Sequence, residues 1–265
     1  MDQSSIDHLE GVLAKRLDFR IGQSLSRGID IWKKDIVSYI AFFVIFLAIA
    51  LVCNLIPLLG PLVSSFFITP CLTMGAALYA NRLYTDQPTK FGNFFDGFDH
   101  WKPLLILTII KTVGAMVLII PFAIAFGAEL FAAGLMDPDN LSLTDTLPSV
   151  AFAVTMLLLF VIFIFLASCL FIAPHIIIFY GLDAITSIKY SFRLVVRNWI
   201  WVVLFAIVAY LIAILGILAV GIGLLVTLPM YFTFAYSAFE ELTEYEAFTE
   251  NASNTANVNI DDMFR

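Results

Sequence analysis

Long apolar runs alternate along this chain with short segments that hold nearly all of its charged residues. A helix that crosses the hydrocarbon core of a bilayer needs about 20 mostly apolar residues, and several of the runs reach that length. The run 199–239 is about twice as long as one crossing requires, and its glycines mark where the chain turns back. The pattern predicts six membrane-spanning helices, at about residues 36–56, 62–83, 103–126, 148–173, 199–216 and 222–239.

The links between the predicted spans arrange them as three helical hairpins. Residues 57–61 (PLLGP) form a tight turn between the first two spans, because proline cannot continue a helix and glycine accepts a reversed backbone. Gly216, Gly221 and Gly223 mark the turn between the last two. The predicted fold class is all-α, a polytopic membrane helical bundle whose six-helix transmembrane domain covers residues 36–239. Residues 1–35 are predicted to be a cytoplasmic amphipathic segment.

A threefold internal pattern runs through the hairpins. A polar segment that ends at a tryptophan precedes each one, and these residues are Trp32, Trp101 and Trp199. Each second helix carries a proline and then a tyrosine, and the pairs are Pro70 with Tyr79, Pro174 with Tyr180, and Pro229 with Tyr236. Residues 13–32 and 184–196 have apolar side chains on one helical arc and basic ones on another, which is typical of a helix lying in the headgroup plane. These lead-in segments are interpreted as interfacial anchors or, alternatively, as lipid-sensing elements.

The basic residues indicate how the spans are oriented. Of 14 Lys and Arg residues, all but Lys111 fall before the first span, in the links after the second and fourth spans, or at the end of the chain. The opposite loops, 57–61, 127–147 and 217–221, contain none. Because Lys and Arg are enriched in cytoplasmic loops, both termini are predicted to be cytoplasmic.

Composition agrees with a membrane protein and excludes one class of partner. The chain has 265 residues, of which 61% are hydrophobic and 13% charged, and its mean hydropathy is +0.96. A water-soluble core of this size cannot hide so much apolar surface. The net charge of −7 comes mainly from residues 240–265, which are predicted to form an acidic disordered cytoplasmic tail. Since Lys and Arg form no cluster outside the membrane-flanking segments, a nucleic-acid partner is excluded.

The last third of the chain resembles a known family. Residues 174–199 (PHIIIFYGLDAITSIKYSFRLVVRNW) are followed at 221–242 by GIGLLVTLPMYFTFAYSAFEEL. This succession is similar to the C-terminal half of the YciC-like bacterial inner-membrane proteins, and residues 94–98 (FFDGF) look like that group's "F…GF" element. The matching positions are Pro174, Ala184, Ser191, Asn198, Trp199, Gly221, Gly223, Pro229, Ala235 and Tyr236. The resemblance implies six spans in a bacterial cytoplasmic membrane, and the group has no established activity to carry over.

Lys111 is the basic residue that falls inside a predicted span, and it is the candidate ligand contact of this sequence. It lies eight residues after Pro103, or about 12 Å along a helix, and an intramembrane charge is by default a functional candidate. One interpretation is that its side chain holds an anionic ligand in a cavity that faces the cytoplasm. The other is that its long stem reaches back to the membrane interface.

The remaining polar residues near the membrane have structural interpretations. His100 and His175 are interpreted as interfacial groups, because the carboxylates near them in sequence lack metal-ligand spacing. Asn54 is interpreted as a structural group that can bond across helices, and the three cysteines as small packing residues. Neither paired carboxylates nor a Ser-His pair stands inside the spans, so the sequence predicts no catalytic residue, metal or cofactor.

Two classes of function stay open. The scarcity of buried polar groups favours a non-enzymatic scaffold or homeostasis factor of the bacterial envelope, in the inner membrane, with membrane lipids, an unknown protein or a second copy of the chain as partner. The proline-interrupted hairpins and Lys111 favour a transporter or lipid-handling protein instead, since broken helices recur at transport sites. A polar, water-accessible chamber that reaches Lys111 from the cytoplasm would favour the second class, and a bundle filled by Phe and Leu would count against it.

Overall fold

The structure is a computed structural model that describes residues 3–15, 19–132, 150–216 and 223–250. Every regular element within these ranges is helical, which confirms the all-α class. The α-helices are α1 Gln3–Ala14, α2 Ile21–Lys34, α3 Ile36–Asn54, α4 Leu59–Val63, α5 Thr69–Tyr84, α6 Trp101–Ala132, α7 Val150–Cys169, α8 Ala173–Tyr180, α9 Ala184–Arg197, α10 Trp199–Leu215, α11 Leu224–Thr227 and α12 Met230–Thr243. A π-helical segment, Ser64–Ile68, joins α4 to α5, a 3₁₀ helix, Phe91–His100, precedes α6, and residues 245–250 are helical.

Four helical stretches are long and apolar enough to cross a membrane, and by this measure the chain is a membrane protein. They are Ile36–Asn54, Leu59–Tyr84, Phe91–Ala128 and Ala153–Tyr180. Helices α9 and α10, which meet at an angle of 93°, add a fifth if the two count as one span. Length and composition thus support four or five crossings where the sequence pattern predicts six. The last predicted span, 222–239, begins outside the described residues and is divided between α11 and α12.

The prolines of the threefold pattern stand where helices are interrupted. Pro70 lies in the first turn of α5, directly after the π-helical segment. Pro174 lies in the first turn of α8, and Pro229 directly precedes α12. Because proline lacks the N–H that would continue the hydrogen-bond ladder, the preceding turn widens or ends. The prolines thus mark irregular points of the helices, although Leu59–Tyr84 and Ala153–Tyr180 each still count as one stretch.

The lead-in segments are helical, but the first one differs from its prediction. Residues 184–196 belong to α9, whose N-terminus is capped by the Asp183 carboxylate accepting from the backbone N–H of Thr186 at 3.1 Å. Residues 13–32 were expected to form one amphipathic helix; instead α1 ends at Ala14 and α2 begins at Ile21. The break lets Phe19 enter the core, where its ring packs edge-on against Phe205 with centroids 5.6 Å apart.

The acidic C-terminal region is ordered further than predicted. Helix α12 continues to Thr243, and residues 245–250 are helical. Leu242 is buried, and the ring of Tyr245 lies 5.1 Å from that of Phe179 in α8. The prediction of disorder is wrong for residues 240–250, because the few apolar side chains among the acidic ones pack on a distant helix. Residues 251–265 lie outside the described residues.

The densest packing forms a layer at the end of the bundle where the basic residues lie. This layer, called the collar below, consists of α1, α2, the 3₁₀ helix, α8, α9, α12 and residues 245–250. Phe94 of the 3₁₀ helix stacks between Tyr79 and Phe42, with ring centroids 3.9 and 4.4 Å away. Helix α1 joins the collar through Glu10, whose carboxylate accepts from Arg193 at 2.9 Å. The collar therefore fixes the relative positions of the apolar helices that leave it.

Two close backbone approaches depend on glycine. A Cβ on Gly75 of α5 would lie 1.8 Å from the carbonyl oxygen of Phe94, so the FFDGF element packs directly on that helix. A Cβ on Gly216 would lie 2.5 Å from the carbonyl carbon of Gly223. Gly216 and Gly223 therefore lie in close contact. The predicted turn at 217–221 lies outside the described residues.

Candidate ligand-binding chamber

A chamber of about 690 Å³ lies among α5, α6 and α7. Ligand sites in proteins are commonly clefts of about 300–1,000 Å³ with mostly apolar walls and a few polar groups. Much of this wall is apolar, with Leu107, Phe163 and Leu166 among its side chains. Its polar side chains are Ser65, Thr69, Thr73, Thr108, Lys111 and Thr112. The chamber, called the outer chamber below, has the size and lining of a small-molecule site.

Lys111 supplies the charge in this wall. It lies on α6, ten residues or about 15 Å beyond Trp101, and its side chain is half-buried. Within the described part of the chain it has no hydrogen-bond or ion-pair partner. The structure thus places Lys111 in a chamber, as the ligand-binding interpretation requires. An ammonium in mostly apolar surroundings is stabilised by an anion that enters beside it.

Two threonines of the wall, Thr73 and Thr108, differ from Lys111 in what they offer a ligand. The Thr73 hydroxyl donates to the Thr69 carbonyl at 2.9 Å, and that of Thr108 donates to the Leu104 carbonyl at 2.9 Å. Their protons are used within their own helices, so they present acceptor lone pairs to the chamber. Lys111 keeps its three N–H donors for a ligand.

The outer chamber opens between apolar side chains. Ile110 and Phe163 stand at its rim and are 36% and 41% exposed. Towards the collar, Leu104 and Leu107 are buried and close the wall. The exposed rim of the chamber is formed by apolar side chains. The direction in which the cavity faces, predicted from the sequence to be the cytoplasm, stays a prediction.

A second chamber of about 400 Å³ adjoins the first and is called the inner chamber below. Thr73, Lys111, Ala167 and Pro174 line both chambers, so Lys111 stands where they meet. His175 lines the inner chamber and is 2% exposed. The first turn of α8 thus faces the interior of the protein, and the interpretation of His175 as an interfacial group stays a prediction.

The other polar candidates have structural roles or no partner. Asn54 donates to the Ala50 carbonyl of its own helix at 2.7 Å and does not bond across helices through that amide. Cys71 and Cys169 are buried packing residues, as expected. The Nδ1 atom of His100 is buried and makes no hydrogen bond to the described residues. Across those residues, no group of three or more His, Cys, Asp and Glu side chains is placed to hold a metal ion.

Sequence reasoning missed two parts of this site. Thr69 and Thr73 on α5, and Thr108 and Thr112 on α6, are each spaced four residues apart, which places each pair on one helical face. That spacing was a usable signal for a polar wall. The position of His175 left no comparable signal, since it depends on where α7 ends.

Comparison with known proteins gives a family without a known role. No curated protein matches the chain, and no solved structure does. A family model described as "Domain of unknown function (DUF7847)" matches residues 19–255. The resemblance to YciC-like proteins stays a prediction. Since the match takes in both chambers and most of the collar, the chain belongs to the DUF7847 family.

Proposed function

We propose that this protein is a non-enzymatic membrane protein that binds an anionic amphiphile, a lipid-like molecule with an acidic head group, around Lys111. One observation carries the proposal: an ammonium group without a partner in the described chain lies in a chamber that opens on the apolar side of the bundle. A lateral opening suits a ligand that already resides in the bilayer. The presence of a chamber beside Lys111 supports lipid handling over the scaffold class, because a bundle filled by Phe and Leu side chains would count against lipid handling.

The proposed topology has six spans with both termini in the cytoplasm of a bacterial inner membrane. Helices near the two ends of the chain contact each other: His8 Nε2 lies 2.8 Å from the Thr243 carbonyl oxygen, and Lys15 pairs with Glu244 at 2.9 Å. These contacts support an even number of crossings. The close approach of Gly216 to Gly223 supports two spans in the last apolar run. The distribution of Lys and Arg assigns the collar to the cytoplasm.

Native mass spectrometry of the full chain, released from lipid nanodiscs, tests the ligand. We expect the wild type to retain an anionic lipid and Lys111→Met to retain at least about tenfold less, because the charge that holds the head group is gone. Lys102→Met is the matched control, since Lys102 is exposed and lies 5.7 Å from the ring of Trp101. Equal occupancy in Lys111→Met and wild type would contradict the proposal.

A scaffold function is the second candidate, and the surface of α9 favours it. Ile185, Phe192 and Val196 are 71%, 41% and 37% exposed, although they are apolar. Such a face binds lipid head groups, another protein or a second copy of the chain. A photo-crosslinker at position 185 in native membranes distinguishes these partners, with the buried position 187 as control. Crosslinks to a protein or to a second copy support the scaffold, whereas lipid adducts alone count against it.

A further inference from the structure

His175 is a buried polar residue that the fold leaves unsatisfied. Its side chain is 2% exposed, and neither ring nitrogen makes a hydrogen bond of good geometry to the described residues, although the backbone carbonyl of Phe171 lies near the ring. The ring stacks on Phe239, with centroids 5.4 Å apart and planes 18° apart. Buried polar groups are nearly always hydrogen-bonded, and an unsatisfied one destabilises the folded state. An imidazole in this state is suited to a ligand that enters the inner chamber.

Lys111 and His175 face one continuous space. Both line the inner chamber, and Lys111 also lines the outer one. The two residues come from different helices, α6 and α8, and Pro174 places His175 at the start of α8 beside the shared wall. A cation and a ring N–H on one side of a cavity form a site for an oxyanion.

The two chambers suit the two ends of an amphiphile. The outer chamber presents Leu107, Leu166 and Leu170 and opens at its apolar rim, as a hydrocarbon chain requires. The inner chamber presents His175, Ser168 and Lys111, as a head group requires. Because the outer chamber is open at the side, a second chain of the same lipid can remain in the bilayer.

We propose that the ligand of this site is an oxyanion carried on a hydrocarbon chain, with its carboxylate or phosphate in the inner chamber and its chain in the outer one. Lys111 donates an N–H from the ammonium and His175 donates its ring N–H to the same head group. This inference rests on the proposed function and adds the orientation of the ligand and a second binding residue. The molecule that carries this oxyanion is a free fatty acid or an anionic diacyl lipid.

Binding titrations on the delipidated full-length protein test the placement. The probes are oleate, phosphatidylglycerol and oleyl alcohol, which has a similar chain and no charge. His175→Phe keeps the stack on Phe239 and removes the N–H, so we expect at least about tenfold weaker binding of the acidic probe. His175→Gln restores a donor and should bind within about threefold of wild type. Oleyl alcohol should bind equally to all three proteins.

A spectroscopic measurement keeps the test independent of variant stability. The chain has 3 histidines, His8, His100 and His175. In protein labelled with ¹⁵N-histidine, saturating oleate or phosphatidylglycerol should shift the ring resonances of His175, assigned with His175→Gln. Those of His8 and His100, which lie outside both chambers, should stay in place. An unchanged His175 resonance at saturation would overturn the inference.

The outcomes separate this inference from the proposed function. Loss of binding in both Lys111→Met and His175→Phe supports both. Loss in Lys111→Met with unchanged binding in His175→Phe overturns the role of His175 and leaves the lipid-binding function standing. Unchanged binding in both variants, or no binding of either acid to wild type, overturns both. Selective binding of oleate or of phosphatidylglycerol identifies the source of the oxyanion.

Discussion

The collar and the opposite ends of the same apolar helices are packed in different ways. In the collar, rings such as Phe94 and Phe239 are completely buried. In the most apolar stretch of Ile36–Asn54 only 17% of residues are buried, and in that of Phe91–Ala128 only 12%. Leu59–Tyr84, which passes along the 3₁₀ helix of the collar, reaches 44%.

The difference reflects the two solvents of the chain. Water drives apolar side chains together, whereas lipid tails are as apolar as leucine and leave only close packing to hold helices to one another. The buried aromatic residues are therefore concentrated where the structure leaves the membrane. The stability of the fold should depend on the collar far more than on the lipid-facing ends of the helices.

The largest expected effect comes from removing a collar ring. Phe94→Ala empties the space between Tyr79 and Phe42 and should destabilise the protein by about 3–5 kcal/mol. The matched change, Phe131→Ala, removes a ring that is 76% exposed on α6 and should change stability by less than about 0.5 kcal/mol. Unfolding in detergent micelles, followed by circular dichroism, measures both. Equal losses would refute the contrast between the two regions.

A smaller effect should follow from adding a methyl group. Gly75→Ala places a carbon where the Phe94 carbonyl oxygen lies, and backbone cannot move aside cheaply, so we expect a loss of about 2–3 kcal/mol. Gly127→Ala meets nothing within 4 Å and should be neutral or stabilise helix α6 by up to about 1 kcal/mol. The same unfolding measurement compares the pair. A tolerated Gly75→Ala would show that α5 and the 3₁₀ helix can separate.

The smallest effect concerns pH and Glu240, which lies in the collar beyond the predicted sixth span. Burial raises the pKa of Glu240 from 4.5 to about 7. The nearby charges act in both directions: Arg27 lowers this pKa, and Glu241 and Glu246 raise it. The folded chain therefore keeps a proton on Glu240 at pH values where the unfolded chain releases it.

Folding is then linked to proton uptake, and the sign of the pH dependence follows. The free energy of unfolding should fall as the pH rises from 4.5 to about 7 and level off above that. Glu240→Gln should flatten this slope, because it keeps the acceptor for the backbone N–H of Glu246, 3.0 Å away in the wild type. Hydrogen exchange of residues 245–250 between pH 5 and pH 8 provides the measurement. A slope that survives in Glu240→Gln must come from another group.

Much of the helical pattern could be predicted, because it depends on short-range features of the sequence. Apolar runs of sufficient length, an Asp at the start of α9 and prolines at the interruptions are each visible within a few residues. The order of residues 245–250 could not be predicted, because it depends on Tyr245 meeting Phe179, far away in the chain. The same limit explains why the predicted helix 13–32 was too long.

The candidate site likewise combines features that the local sequence shows with features that depend on tertiary packing. Lys111 could be found because a charge in an apolar run stands out by itself. The chambers could not, since a cavity is a property of how α5, α6 and α7 fit together. The burial of His175 could not be predicted either, because it depends on the interruption between α7 and α8.

The contacts between the chain ends have a consequence for how the protein is made. A ribosome delivers α1 long before α9 and α12, yet α1 contacts Thr243 through His8 and Arg193 through Glu10. Helix α1 must therefore wait without these partners until α12 has been translated. A chain truncated before α9 would leave α1 without these contacts.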